Sequence, residues 1–409
     1  MDNKLYNIED FVNEELSSSP IFNLSMASKE LFHSNLLFWL SLKHKSCFIN
    51  ILEKMGVDTK KWQNSWRSYR EKNNYDLCIY DTSKNSISFI LENKVKSIPR
   101  KDQLDKYSEE TRSLNKEDKI LLTLTTDFPN KDEIEKTWTI KSYEDLANII
   151  TDNICSISDC YHQMLLNDYC KTIRLLHKIQ SNWSYEKEDK YIEKFVTEKS
   201  EDTIKIGDIR KKVLYSKLAI DIQKEINGQI KTNKEIINIT ENNYEARNSP
   251  YVNCGMTHSM GILDIKVRVI GNLILGIQLQ GPSYKHYIES LDKEEQNKMI
   301  IDWIRSYNKD CENCKDNNQE LLIKLINSNF FQFGERTLNG FPFSEEEEAI
   351  IPNNRDKFNK YGDYFIYQYV NIAPNTTIKK IIEAIKEDVK KIYDIISVHK
   401  LTNDTNHKL

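Results

Sequence analysis

SFILENKVKSIPRKDQLDKY, Ser88 to Tyr107, begins as an apolar strand and then sets Glu92, Lys94 and Lys96 at alternating positions. Strand side chains alternate, so these three share one face. A carboxylate and two ammoniums at a strand end are costly to bury unless they are paired or bound to something. Beyond Lys96 the pattern turns helical, from Pro99 in the first turn to about Leu114. Gln103 and Tyr107 stand four apart on that helix and share a face, which Arg100 joins three residues before Gln103.

Upstream, residues 75–81 read as a strand and residues 87–96 as its antiparallel partner, with the polar turn TSKNS between them. With the turn centred on Lys84, Asp81 faces Ile87 and Asp76 faces Glu92. The Asp76 and Glu92 Cβ atoms then lie roughly 5 Å apart on one face, and Lys94 shares that face. Two carboxylates so close repel unless positive charge lies between them. Lys94 supplies part of it. A hard divalent cation, Mg²⁺ with Mn²⁺ able to substitute, would supply the rest through Asp76 and Glu92. Such a set suits phosphodiester hydrolysis. The ion polarises the phosphate and acidifies bound water, and Lys94 stabilises charge on the phosphoryl oxygens. Gln103 can orient water, while Tyr107, Arg100 and Lys96 can hold a nucleic-acid phosphate. The competing reading is a cross-strand salt bridge with a plain helix surface beside it.

Residues 25–43 read as a helix with a heavy apolar face, and within it Glu30 sits beside His33 and Ser34. A carboxylate there can complete the metal shell from the other side, or act as a first-turn helix charge. A buried-type strand at 118–126 follows, then a short strand and helix in TWTIKSYEDLANII, then a helix to about 179. The order helix, two antiparallel strands, helix, strand, strand, helix describes an α/β unit with a mixed sheet.

Asp76, Glu92-Asn93-Lys94 and Gln103-Leu104-Asp105-Lys106-Tyr107, in this order after Glu30 in ELFHSNLLFWL, resemble the PD-(D/E)xK nuclease superfamily. The resemblance is to its branch with a QxxxY helix, the RecB-like and Cas4-like nucleases, and to an uncharacterised bacterial branch. It covers roughly residues 25–150. The proline that names the superfamily is missing, since Tyr75 precedes Asp76, and no iron–sulfur cysteines match. The resemblance implies a restriction-endonuclease-like core, a mixed central sheet flanked by helices, within residues 1–180. It implies that Asp76, Glu92 and Glu30 bind Mg²⁺, that Lys94 assists catalysis, and that Gln103 and Tyr107 form the accessory motif. By analogy it implies DNA cleavage in phage defence, restriction or repair. A non-catalytic binding module on the same fold and an RNA-directed nuclease are the alternatives.

Residues 181–409 read as a second, α+β region for substrate or partner-protein binding. SNWSYEKEDKYIEKF reads as a charged helical linker. ILDIKVRVIGNLILGIQLQ is a hairpin with Gly271 and Asn272 at its turn, and 374–397 is an amphipathic helix. Asp264, Gln278 and Gln280 faintly echo Asp76 and the Glu-x-Lys pair, with amides where charge would be needed. Cys254 and His258, and Cys311 with Cys314, lack a second ligand pair. Tyr284, Lys285, His286, Tyr287, Arg305 and Tyr307 are candidates for stacking on bases or holding phosphates.

With 58 Lys and Arg against 62 Asp and Glu, the chain carries a formal net charge of -4, which excludes a histone-like basic protein. Nucleic-acid binding by a local basic surface stays open. Eight cysteines spread thinly over 409 residues, with no signal-like segment or long apolar run, give the expectation of a cytoplasmic, non-membrane protein. No GxxxxGK[ST] loop is present, so any ATP-driven movement would come from a partner.

Overall fold

The computed structural model describes residues 29–62, 65–95, 97–125, 127–196, 206–232, 251–257, 260–270, 273–290, 330–331, 359–361 and 365–406, with 11–12, 14–16 and 21. The chain divides into two units, Met1–Ser184 with Glu198–Lys217, and Tyr185–Thr197 with Leu218–Leu409.

The first unit is built on five strands, β1 (Trp66–Lys72), β2 (Tyr75–Asp81), β3 (Ser86–Lys94), β4 (Lys119–Thr123) and β5 (Thr139–Ser142), in the spatial order β1-β2-β3-β4-β5. The first three run antiparallel, and β3, β4 and β5 run parallel, so the sheet is mixed. Among its helices are α1 (Lys29–Lys43), α2 (Lys45–Lys54), α3 (Lys101–Glu110), α4 (Tyr143–Asn153) and α5 (Cys160–Asn182). Parallel strands need a crossover, and α3 supplies the one between β3 and β4. Every residue of β4 is buried, as its KILLT run suits in a strand covered on both faces. Ser142 opens α4 with a capping box closed by Asp145.

β1 is an element the sequence reading lacked. Its link to β2 is the pair Asn73 and Asn74, with φ of 56° and 66°. Two successive positive-φ residues between Lys72 and Tyr75 make a type I′ hairpin, a conformation that asparagine tolerates. An Asn-Asn pair before the alternating YDLCIYD was the available signal.

The β2–β3 register is the expected one where it matters and shifted where it does not. Leu77 faces Leu91, Cys78 faces Ile90 and Ile79 faces Phe89, a register that, continued one position past the last pair of the ladder, sets Asp76 opposite Glu92. Toward the turn a bulge intervenes, so Tyr80 faces Ile87 and Asp81 faces Ser86 rather than Ile87. The extra residue is Ser88 on β3, and the turn is correspondingly one residue shorter. The Asp81 carboxylate closes that turn, accepting hydrogen bonds from the Ser83 N–H and hydroxyl and from the Lys84 N–H.

In the second unit six strands, β6 (Tyr251–Thr257), β7 (Met260–Ile270), β8 (Leu273–Gln280), β9 (Ser283–Ser290), β10 (Asn359–Tyr361) and β11 (Phe365–Asn371), form an antiparallel sheet in the order β10-β11-β9-β8-β7-β6. Helix α6 (Gly207–Thr232) is assigned to the first unit as far as Lys217 and to the second from Leu218, and α7 (Ile378–Asn406) is the last described element. The expected hairpin is β7–β8, with Ile270 facing Leu273. One face packs inward, with Leu263, Ile265, Val267, Leu275, Ile277 and Leu279 all buried. On the same face His286 Nε2 lies 2.8 Å from Asp388 Oδ2, and the Tyr284 hydroxyl donates to the same oxygen at 2.8 Å, which ties β9 to α7. Gly276 faces Tyr287, whose ring lies where a Cβ would stand, 2.1 Å from Cζ, so only glycine fits there.

Three expectations change. Tyr284, His286 and Tyr287 are core residues of β9, almost wholly buried, and do not offer their rings to bases. The linker is not one helix: residues 183–190 contain none, and a short π-helical turn, Ile192–Val196, follows. Cys254 is a buried strand residue of β6. Gly271, Asn272, His258, Arg305, Tyr307, Cys311 and Cys314 lie outside the described residues. Among the described residues no helix is long and apolar enough to cross a membrane.

Candidate active site

The site lies where β2 begins, β3 ends and α3 begins. The apolar run Phe89–Leu91 fixes β3 in the core, and the strand then carries its charged residues inward with it. Glu92 is 3% exposed and Lys94 7%. On the β4 side their neighbours are Leu121 beside Glu92 and Thr123 beside Lys94. Charge in such surroundings demands a partner.

Lys94 Nζ donates to Glu92 Oε1 at 2.7 Å, and Gln103 Nε2 donates to the same oxygen at 3.0 Å. Glu92 Oε2 is buried and has no hydrogen-bond partner among the described residues. Asp76 Oδ2 accepts the Asn93 backbone N–H at 2.6 Å. Burial first, and then the charge of Glu92, pushes the Asp76 carboxyl up to about 7, against the pull of the Asn93 N–H and Lys94. Burial likewise raises Glu92, with Lys94 opposing it. Burial pulls Lys94 down, but Glu92, Glu30 and Asp76 together outweigh it and keep the ammonium above its ordinary value. The two carboxylates therefore resist being charged at once, and the lysine stays protonated.

Gln103 and Tyr107 both reach the cluster, and a relay connects them. Gln103 Nε2 also donates to the Tyr107 hydroxyl at 3.0 Å, and that hydroxyl donates to the Asn74 carbonyl at 3.0 Å. Tyr107 is buried and meets Tyr75 edge to face, so it braces Gln103 and does not face solvent. Arg100 does not share their helical face. It is the extended N-cap of α3, which starts at Lys101 and leaves Pro99 outside the first turn. Its guanidinium engages Asp102 at the surface. Lys96 lies outside the described residues.

Glu30 is near enough for its charge to bear on Asp76, Glu92 and Lys94. Its Oε1 accepts the Ser97 N–H at 2.7 Å and the Ser97 hydroxyl at 2.5 Å, so it ties α1 to the chain just past β3. Among the described residues no three His, Cys, Asp or Glu side chains are disposed together to hold a metal ion. Asp76 and Glu92 are the carboxylates that could do so as a pair.

Behind the strand stands a layer that the sequence reading passed over. Asn93 points away from Glu92 and Lys94 and bonds Ser34 of α1 and Tyr143 of α4. His33 Nδ1 lies 3.0 Å from the Tyr169 hydroxyl, and its ring meets Tyr143 edge to face. The signal was present, a polar residue between Glu92 and Lys94 with a helical Ser34 upstream, but side-chain partners across elements carry no spacing rule. No family model, no curated protein and no solved structure matches the chain.

Proposed function

We propose that the first unit is a Mg²⁺-dependent nuclease that hydrolyses phosphodiester bonds, with DNA as its substrate. The observation that carries this reading is the orphaned Oε2 of Glu92. A buried carboxylate oxygen with no donor, across from a second carboxylate, fits a cation better than it fits a finished salt bridge. The residues suit Mg²⁺, which takes one or two carboxylates and fills its remaining positions with water and substrate phosphate. Asp76 and Glu92 would hold it. Glu30, with Oε1 given to Ser97, supports the site from α1. When bound, the ion polarises a phosphate and lowers the pKa of its water.

The chain's own residues supply the rest. Lys94 places a fixed positive charge where negative charge grows on the phosphoryl oxygens. Its bond to Glu92 Oε1 holds the ammonium in place and leaves Oε2 open. Gln103 orients groups beside Glu92, and Tyr107 holds Gln103 through its own anchor on Asn74. Leu121 beside Glu92 keeps one flank dry, which strengthens each of these electrostatic contacts.

One observation favours a second reading, a non-catalytic binding module. Glu92 Oε1 is already satisfied twice, by Lys94 and Gln103, as in a closed structural ion pair. Calorimetric titration of Mg²⁺ and Mn²⁺ into wild type and Asp76→Ala separates the two. The nuclease reading expects one site in wild type and none in the variant, together with cleavage in a panel of linear duplex, nicked duplex, single-stranded DNA and RNA. Absence of both metal binding and cleavage in wild type would leave the binding module. Cleavage of RNA alone would change the substrate and keep the chemistry.

A further inference from the structure

Asn93 sits between the two charged residues of β3 and is fully buried. The pairing of β2 with β3 ends at Leu77 and Leu91, so the Asn93 N–H has no ladder partner on β2. The Asp76 carboxylate takes that place at 2.6 Å. On the opposite face the carboxamide is held at both ends. Its Nδ2 donates to Ser34 Oγ at 2.6 Å, and its Oδ1 accepts from the Tyr143 hydroxyl at 3.1 Å. Ser34 and Tyr143 are themselves fully buried.

The direction of these bonds selects asparagine. Ser34 Oγ turns its proton toward the Glu30 carbonyl at 3.4 Å, so toward Asn93 it accepts. The group facing it must therefore be a donor, and the group facing Tyr143 an acceptor. A carboxamide offers one of each on a single short stem. Aspartate would leave Ser34 without a donor and add a buried charge beside Asp76, Glu92 and Glu30. Leucine would take away the donor to Ser34 Oγ and the acceptor of the Tyr143 hydroxyl.

We propose that Asn93 is the positioning residue of the site: clamped by Ser34 and Tyr143, it aims its own backbone N–H at Asp76 and keeps Glu92 and Lys94 turned to the opposite face. The role rests on the nuclease reading. It joins α1, α4, β2 and β3 through one side chain and one peptide group. Partners behind a metal ligand fix its orientation, and their loss typically costs 10–100-fold in metal affinity or activity.

The test replaces the whole clamp with apolar groups of like shape, Ser34→Ala with Asn93→Leu and Tyr143→Phe in the full chain. No buried polar group is then left unpaired, so folding is preserved. Far-UV circular dichroism and a cooperative melt like that of wild type establish this. With folding intact, kcat at saturating Mg²⁺ falls about 10- to 100-fold, Mn²⁺ affinity by calorimetry falls by a similar factor at unchanged stoichiometry, and KM for DNA changes less than about 2-fold, since no substrate contact is touched. Tyr143→Phe alone, which keeps the Ser34 clamp, shows a smaller loss of the same kind and decides the matter if the triple variant does not fold. A folded variant with wild-type kcat and wild-type Mn²⁺ affinity would reduce Asn93 to core packing and leave the nuclease reading standing. A wild-type protein that neither binds metal nor cuts would remove both.

Discussion

The two sheets each set an aspartate across from a Glx residue, and they resolve the problem in opposite ways. In the second unit Asp264 faces Gln278, and the amide donates to Asp264 Oδ1 at 2.8 Å. In the first unit Asp76 faces Glu92, which has no proton to donate when ionised, and Oε2 stays without a partner. One pair is closed by the protein itself. The other carries an unbalanced charge, with Lys94 meeting only half of it. Asp264 is still raised by burial, with Lys266 and Gln278 opposing, so burial alone does not mark a site. What separates the two is the unmet acceptor.

Glu92→Gln should turn the first pair into a copy of the second. The amide can donate to Asp76, so the variant should melt above wild type without metal while its cleavage falls by at least the 10²–10³ of a lost electrostatic group. Activity retained in Glu92→Gln would erase the distinction between the sheets. Lys94→Ala should lose about 10²–10³ in rate at saturating Mg²⁺ yet still bind the ion, because lysine is not a ligand. Nicking rates beside calorimetry check this, and a wild-type rate would restore the salt-bridge reading. The reciprocal change, Gln278→Glu, should destabilise the second unit by about 3 kcal/mol by giving Asp264 a second buried carboxylate and no donor. Urea melts monitored by fluorescence measure that.

The smallest effect is on pH. Asp76 is raised to about 7 when folded, so the folded protein binds the proton more tightly than the unfolded chain. Its stabilising contribution is complete below about 4 and is lost as pH rises through about 7. Metal-free wild type should therefore lose melting temperature between those values, and Asp76→Asn should flatten that slope. A wild-type slope unchanged in Asp76→Asn would place the proton elsewhere.

Local pattern made much of this legible. The strand at 75–81, the register at Asp76 and Glu92, the helix carrying Gln103 and Tyr107, and the β7–β8 hairpin follow from alternation, i to i+4 spacing and turn chemistry. β1 was missed because WRSYREK is polar for a strand, and only the Asn-Asn turn beside it announced a hairpin. Arg100 was placed on the wrong face because the helix begins one residue after it, and element boundaries are where pattern carries least. Tyr284, His286 and Tyr287 looked like a binding surface because aromatic and basic residues read alike in a core and on a surface; the Asp388 partner of His286, 102 residues away, settles which they are. Ser34, Asn93 and Tyr143 meet across 59 and 50 residues, beyond any local rule.

On the nuclease reading, Glu92 is left unsatisfied so that it binds a cation together with Asp76. The most direct test is calorimetric titration of Mg²⁺ into wild type and Glu92→Gln, both folded and in the same buffer at a pH above 7. Wild type should show one binding event per chain and the variant none. Identical heats in the two, or no binding in wild type, would overturn the cation site.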